Sequence, residues 1–432
     1  MIGLIMFAAT LILLMVGFPV AFTFAGVAVI FGTLTEGIEL FGFMPYRIMS
    51  IMQNTILMAV PLFIFMGIVL QKTKLAEQLL EAMGELFGNI RGGLAISTIL
   101  VGSLLAASTG VVGASVIAMG VISLPVMLKH NYKKPLATGV ICASGTLGQI
   151  IPPSIVLIIL ADVLGVPAGD LFKSAVLPSL VLVASYIIYV LIIAYFDKNS
   201  APACISKNHN LGKLQKYSAV AKAILPPILL IVAVLGSIFT GIATPTESAA
   251  IGVVGALFLA FIYRRLNWKM VRETSVETIK VTAMVFAVLI GATAFSLVFT
   301  YSGGDVLVED FIHTLPAKEI SFIFIAMLII LLLGFFIDFV EISLIIVPIF
   351  YPIALSLGID MNWFAILIAM NLQTSFLTPP FGFSLFYLKG VAPKSIKTTD
   401  IYRGVMPFIF IQVVVLLSLI FFPNWYGFGG LN

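Results

Sequence analysis

Residues 145–167 read GTLGQIIPPSIVLIILADVLGVP, and residues 371–393 read NLQTSFLTPPFGFSLFYLKGVAP. Each is an apolar run of helical length broken near its centre by adjacent prolines, Pro152 and Pro153 in the first and Pro379 and Pro380 in the second. Proline has no N–H to donate, and its ring pushes away the carbonyl four residues earlier. The spacing therefore predicts two broken helices, one releasing the carbonyls of Gly148 and Gln149, the other those of Ser375 and Phe376. The two pairs lie 227 residues apart, and the same offset carries Pro125 onto Pro352. Offsets of 226 to 230 carry Pro19 onto Pro245, Gly26 onto Gly252, Asp170 onto Asp400 and Pro178 onto Pro407. A register held along most of both halves is an internal duplication.

The composition around these segments is that of a membrane protein. Of 432 residues, 61% are hydrophobic and 10% charged, where an ordinary soluble domain has about 25% charged. Apolar runs of spanning length recur from end to end, and no stretch is long or polar enough for a separate soluble domain. The net charge of +4 includes no basic block, so nucleic acid is not an expected partner. Cys142 lies in an apolar run and Cys204 in a polar loop, with neither the number nor the spacing of a disulfide framework or zinc site. The opening MIGLIMFAAT has no Lys or Arg before its apolar run and no cleavage signature, so it reads as a retained span.

Charge sets the expected topology. The breaks at 72–92, 129–135, 197–222, 264–277 (with Lys280 just beyond it) and 389–403 hold 20 of the 23 lysines and arginines, which assigns them to the cytoplasm. The remaining breaks carry nine acids against Arg47, Lys173 and Lys318, and face outward. Two consecutive basic breaks then flank the apolar stretch 93–128, which is predicted to be a re-entrant hairpin with its tip around Ser108, Thr109, Gly110 and Gly113. The outward breaks 301–320 and 357–362 likewise flank a second hairpin, 321–356, entering from the opposite face. The predicted fold is an all-α polytopic membrane protein of two inverted-topology repeats. Residues 1–222 form the first, with hairpin 93–128, broken helix 136–164 and a cytoplasmic linker at 197–222. Residues 223–432 form the second, with hairpin 321–356 and broken helix 363–390. Both termini come out external.

Irregular backbone at membrane depth is tolerated only where it is buried in protein or lines a cavity. Freed carbonyls beside small hydroxyl residues are oxygen ligands suited to a hard cation, and inverted repeats with broken helices are common in secondary transporters. Each feature has a plainer reading as well. A proline pair can simply kink a helix that its neighbours repair, and the small residues of the first tip can serve close packing. Three ionisable residues fall within apparent spans. Glu247, after the turn GIATPT, is either a functional acid or a helix cap. Asp338 is expected to serve an ion or coupling role. Glu341 fits such a role or a scaffold hydrogen bond equally. His130, His209 and His313 lie in polar loops, and there is no HExxH, GxSxG or Walker sequence, so no enzyme or ATP-driven pump is expected.

Three stretches, ASTGVVGASVIAMGVISLPVML at 107–128, KPLATGVICASGTLGQIIPPSIVLIILADVLGVPAGDLF at 134–172 and the second proline segment, closely resemble the large membrane subunit of TRAP (tripartite ATP-independent periplasmic) transporters. The resemblance covers essentially the whole chain. It implies an elevator-type symporter of the bacterial inner membrane, driven by a sodium gradient and importing organic acids such as C4-dicarboxylates, sialic acid or other sugar acids. It also implies two protein partners, a small four-helix membrane subunit and a periplasmic substrate-binding protein, with membrane lipid as the surroundings. No further helices precede Met1, so the small subunit is expected as a separate chain. The resemblance places one sodium site at Ser103, Ser108, Gly145 and Gly148 and a second at Gly334, Asp338, Thr374, Ser375 and Thr378, so two or more sodium ions would be co-transported. Substrate would sit between them, near Thr109, Gln149, Ser154 and Gln373. Neither broken span offers an Arg or Lys to pair with a substrate carboxylate, which leaves helix amides, hydroxyls and bound sodium to hold the anion. The competing readings are a stand-alone divalent-anion/sodium symporter that needs no binding protein, and a scaffold subunit without a transport site.

Overall fold

The computed structural model describes residues 2–73, 75–87, 90–110, 112–203 and 213–429; the side chains of residues 76, 85, 108, 109, 213–220, 311 and 313 lie outside the described set. Among the described residues the chain is helical, with no strand.

The first half runs α1 (Ile2–Val16), α2 (Val20–Thr35), α3 (Met44–Met52), α4 (Ala59–Lys72) and α5 (Leu75–Phe87). A hairpin follows, α6 (Gly93–Thr109) and α7 (Val112–Lys129), turning at Gly110, whose φ of +61° favours glycine. Next come α8 (Lys134–Thr146), a tight turn at Leu147–Gln149, α9 (Ile155–Val163) and α10 (Ala168–Phe196). The second half repeats the plan with α11 (Lys213–Phe239), α12 (Pro245–Ile262), α13 (Trp268–Tyr301) and α14 (Gly304–His313). Its hairpin is α15 (Lys318–Leu333) and a returning arm of α16 (Phe339–Glu341), a π-helical turn (Ile342–Ile346) and α17 (Val347–Ser356). The second broken helix is α18 (Met361–Leu377) and α19 (Phe383–Val391), and α20 (Thr398–Phe421) follows. Seven of the described helices are long and apolar enough to cross a membrane, so the protein is multi-pass.

The two halves contact each other reciprocally. α2 packs on α13 and α12 on α4; α8 packs on α20 and α18 on α10; α7 packs on α19 and the π-helical turn on α9. Applying the 227-residue offset turns the first member of each pair of contacts into the second, which is how two copies related by a twofold exchange elements. In the order of crossings assigned by charge, each copy spans the membrane an odd number of times, at α1, α2, α4, the broken helix and α10, while its hairpin returns to the side it left. The second copy therefore starts on the opposite face, giving inverted repeats.

Four stretches expected as polar loops contain helix. α5 fills much of 72–92 with an amphipathic pattern, and α14 occupies part of 301–320. α13 starts at Trp268, where Asn267 Oδ1 accepts the Met270 N–H at 2.8 Å, so most of the basic break becomes the first turns of a 34-residue helix. α11 likewise begins at Lys213, inside the stretch read as linker.

The broken helices sit at the centre. α8 is buried from Leu136 through Thr146, and α18 from Trp363 through Leu377. Buried all round, these helices need small residues where another backbone crosses. A methyl group on Gly139 would fall 2.1 Å from the Gly404 carbonyl oxygen, so α8 and α20 meet backbone to backbone.

Candidate functional site

Both proline pairs break their helices as expected, and both Pro–Pro bonds are cis. Of the four carbonyls expected to be released, one stays free of hydrogen bonds from the described residues. Ser154 Oγ donates to the Gln149 carbonyl at 2.7 Å, and Ser384 Oγ donates to the Phe376 carbonyl at 2.8 Å. These two carbonyls are equivalent under the 227-residue offset, so each copy closes its break with a serine from the far side. The Ser375 carbonyl accepts the Thr378 N–H at 3.1 Å. The Gly148 carbonyl accepts no hydrogen bond from the described residues.

Each break faces the first arm of its own hairpin at close range. A methyl group on Gly148 would lie 2.8 Å from the Ala106 carbonyl oxygen of α6. One on Gly334, at the end of α15, would lie 2.1 Å from Ser375 Oγ and 2.5 Å from its Cβ. Subtracting 227 from Gly334 and Ser375 gives positions 107 and 148, so these are one junction built twice. Gly145 adds a second approach in the first copy: a methyl group there would lie 2.4 Å from Val116 Cγ2 and 3.1 Å from the Val116 backbone of α7.

The expected first set is thus joined at Gly145 and Gly148. Ser103 is half-buried on α6 and donates to Ile99 O at 2.7 Å, next to Gly102, which packs on Ser144. The side chains of Ser108 and Thr109 lie outside the described residues. In the second set, Thr374, Ser375 and Thr378 donate to the carbonyls of Met370, Leu372 and Thr374 at 2.9, 2.7 and 2.7 Å. A hydroxyl whose hydrogen is given to its own helix keeps its oxygen lone pairs for something else, which suits these groups to a cation.

Asp338 opens the returning arm of the second hairpin by accepting the Phe339 N–H at 2.6 Å, and the Phe339 ring packs on Phe376 with centroids 6.0 Å apart. Glu341 is buried and its Oε2 lacks a partner among the described residues, as does the buried Ser343 Oγ in the π-helical turn. Among the described residues neither acid has a Lys or Arg in ion-pair contact. π-helical turns are rare and recur at functional sites, so this tip is the more polar of the two.

Gln149 and Gln373, expected near the substrate, are fully buried, and neither amide makes a hydrogen bond of ordinary geometry with a described residue, although Gln373 lies beside the Tyr186 hydroxyl. α18 packs on the turn that carries Gln149. A buried polar group left unpaired costs about 1–3 kcal/mol, and here two whole amides are left so, between the two hairpin junctions. Lys389 does lie on a broken span, at the end of α19, but its ammonium is engaged with the Ile396 carbonyl at 2.6 Å.

Glu247 is a cap. Its carboxylate accepts the Thr244 N–H at 2.8 Å while Thr244 Oγ1 accepts the Glu247 N–H at 3.3 Å, a capping box that starts α12. The sequence carries this signal as Thr-x-x-Glu.

Inverted repeats with two hairpins set against two broken helices around buried, unsatisfied polar groups define a multi-pass membrane transporter fold. A family model described as the DctM component of the tripartite ATP-independent periplasmic transporter matches residues 7–425, and the chain belongs to that family. It is 32% identical over 379 residues to the C4-dicarboxylate TRAP transporter large permease protein DctM of Pseudomonas aeruginosa, covering 86% of this chain and 87% of that protein. It is 28% identical over 415 residues to the sialic acid TRAP transporter large permease protein SiaM of Vibrio cholerae, covering 96% and 95%. Its fold is similar to the crystal structure of the YdaH transporter of Alcanivorax borkumensis, with a TM-score of 0.64 over 98% of this chain and 99% of that chain at 14% identity. The relatives are named as permeases, not enzymes.

Proposed function

We propose that this chain is the transport subunit of a sodium-gradient-driven, binding-protein-dependent importer of organic acids. It works in the bacterial inner membrane with both termini on the periplasmic side. Residues 1–222 and 223–432 are its two repeats. The observation that carries the reading is the duplicated junction, Gly148 against Ala106 and Gly334 against Ser375, with the unpaired amides of Gln149 and Gln373 between. Sodium at each junction would tie a hairpin tip to a broken helix through hydroxyl and carbonyl oxygens. The first ion would use Ser103, Ser108, Gly145 and Gly148, the second Gly334, Asp338, Thr374, Ser375 and Thr378. The two positive charges and the amide donors then receive a carboxylate at Thr109, Gln149, Ser154 and Gln373. The hairpins and broken helices move as one body across the membrane against α1, α2, α4 and their counterparts, an elevator motion. The relatives' C4-dicarboxylate and sialic acid substrates support an organic acid, and the family's tripartite description supports a small membrane subunit and a periplasmic binding protein as partners.

Reconstitution tests this directly. Vesicles holding this chain and the small subunit should take up the acid only with binding protein outside and a sodium gradient directed inward. Sodium-driven uptake by this chain alone would replace the reading with a stand-alone symporter.

A further inference from the structure

Away from the junctions, a cleft of about 260 Å³ separates the first hairpin from the helices it moves against. One wall is Ala114 of α7, just past the tip; the other is Ile64, Ile68 and Gln71 of α4 with Glu277 and Lys280 of α13. The charges are unevenly engaged. Lys72 binds Glu273 and Glu277 at 3.3 and 2.9 Å, tying α4 to α13. Lys280, one turn nearer the membrane centre, is exposed and has no ion pair with a described residue. It lies 12 residues beyond Trp268, a rise of about 18 Å. α13 at its full length of about 51 Å exceeds a hydrocarbon core of about 30 Å. With Tyr301 at the outer boundary, Lys280 falls at the cytoplasmic edge of that core. The counterpart wall of the second hairpin has a different arrangement, since α16 and the π-helical turn pack on α13 itself.

We infer that this cleft is the cytoplasmic exit of the transport path and that Lys280, with the Gln71 amide beside it, is an anion-binding waypoint that receives the departing carboxylate. The inference deepens the proposed function and rests on it for the identity of the anion. On that reading, a carboxylate released from the junctions would cross a cleft whose lining is mostly apolar, Ile64, Ile68, Ala114 and Val281, and a cation with no ion pair among the described residues lowers the cost of that crossing. The Lys72 pairings matter because they occupy the carboxylate that would otherwise neutralise Lys280.

Two measurements test it, both on the assembled transporter with Cys204→Ser; Cys142 is fully buried and stays. First, an Ala114→Cys variant is labelled from the inner face with negatively and positively charged methanethiosulfonates. With Lys280 present the ratio of anionic to cationic reactivity should be roughly threefold to fivefold higher than with Lys280→Gln, the effect of one partly exposed charge; Lys280→Arg should keep the ratio. An unreactive Ala114→Cys, or a ratio that ignores residue 280, overturns the inference without bearing on what is transported. Second, in vesicles preloaded with succinate or sialic acid, Lys280→Gln should raise the internal concentration for half-maximal exchange by roughly the same factor and leave external half-saturation unchanged. A change on the external side instead overturns the assignment. Wild-type vesicles that exchange neither acid count against the proposed substrate class, while the labelling ratio still decides Lys280.

Discussion

The hydroxyl oxygen of Tyr186 accepts a 2.8 Å hydrogen bond from Nε2 of Gln412, and both side chains are fully buried. The residues stand 226 positions apart on α10 and α20, within a few residues of the repeat offset. A contact between near-equivalent positions lies where a twofold maps the fold onto itself, so this bond sits close to the axis that relates the two copies. Tyr186→Phe would strip the Gln412 amide of its acceptor, and Gln412 Oε1 already has no partner. Side-chain hydrogen bonds within membrane bundles average about 0.6 kcal/mol, with a maximum near 1.7. We expect Tyr186→Phe to lower stability by about 1 kcal/mol, read as a lower thermal midpoint in detergent. Adding Gln412→Leu should return part of that loss, because it removes the orphaned amide. Strict additivity of the two changes would mean that the bond couples nothing.

The crossing of α8 and α20 leaves no room for a side chain. A methyl group on Gly404 would fall 2.1 Å from the Pro135 carbonyl oxygen, a backbone atom that moves only if the helices separate. Gly404→Ala should therefore cost at least about 1–3 kcal/mol and reduce the folded fraction recovered from membranes by size-exclusion chromatography. Gly26 on α2 has nothing within 4 Å of the same position. Gly26→Ala should match or slightly exceed the wild type, since alanine is the better helix former. Equal losses at the two positions would contradict the packing described.

The proline pairs and the two hairpins are legible in the sequence because each depends on local chemistry, a missing N–H in one case and a glycine turn in the other. What closes the breaks is not. Ser384 reaches back eight residues to the Phe376 carbonyl, and nothing in a linear pattern tells that hydroxyl from one facing lipid. α13 also escapes the reading, because its first turns carry Arg272, Glu273, Glu277 and Lys280 and look like a loop until the helix is seen to continue through them. The same misreading hides Lys280. Gln149 and Gln373 are visible as polar residues near the breaks, but their lack of partners is a property of the packed structure.

Asp338 combines two roles that a pair of substitutions separates. Its carboxylate caps Phe339 through a 2.6 Å bond, which an asparagine oxygen can also accept. Asp338→Asn therefore removes the charge and keeps the cap, whereas Asp338→Ala removes both. If the charge holds sodium, Asp338→Asn should raise the sodium concentration for half-maximal uptake by about tenfold, a change of about 1.4 kcal/mol, with little loss of thermal stability. Asp338→Ala should add a stability loss of about 0.5–2 kcal/mol from the missing cap. An asparagine variant with wild-type sodium dependence would reduce Asp338 to a helix start.

The junction of Gly334 with Ser375 offers a test by exchange of volume. A methyl group on Gly334 collides with both Cβ and Oγ of Ser375, so rotating the hydroxyl does not make room. Gly334→Ala should push α15 away from α18 and weaken whatever ion spans them, raising the sodium half-saturation of uptake and lowering the heat stability that added sodium confers. Ser375→Gly alone removes the Oγ that is one proposed ligand, and should also weaken sodium binding. Combined, the two substitutions restore the fit while leaving the oxygen absent. The double variant should therefore be about as stable as Ser375→Gly and more stable than Gly334→Ala, with sodium dependence no better than Ser375→Gly. Recovery of both stability and sodium affinity in the double variant would show that the hairpin needs only to close on the helix. Recovery of stability alone would place the Ser375 hydroxyl in the ion site.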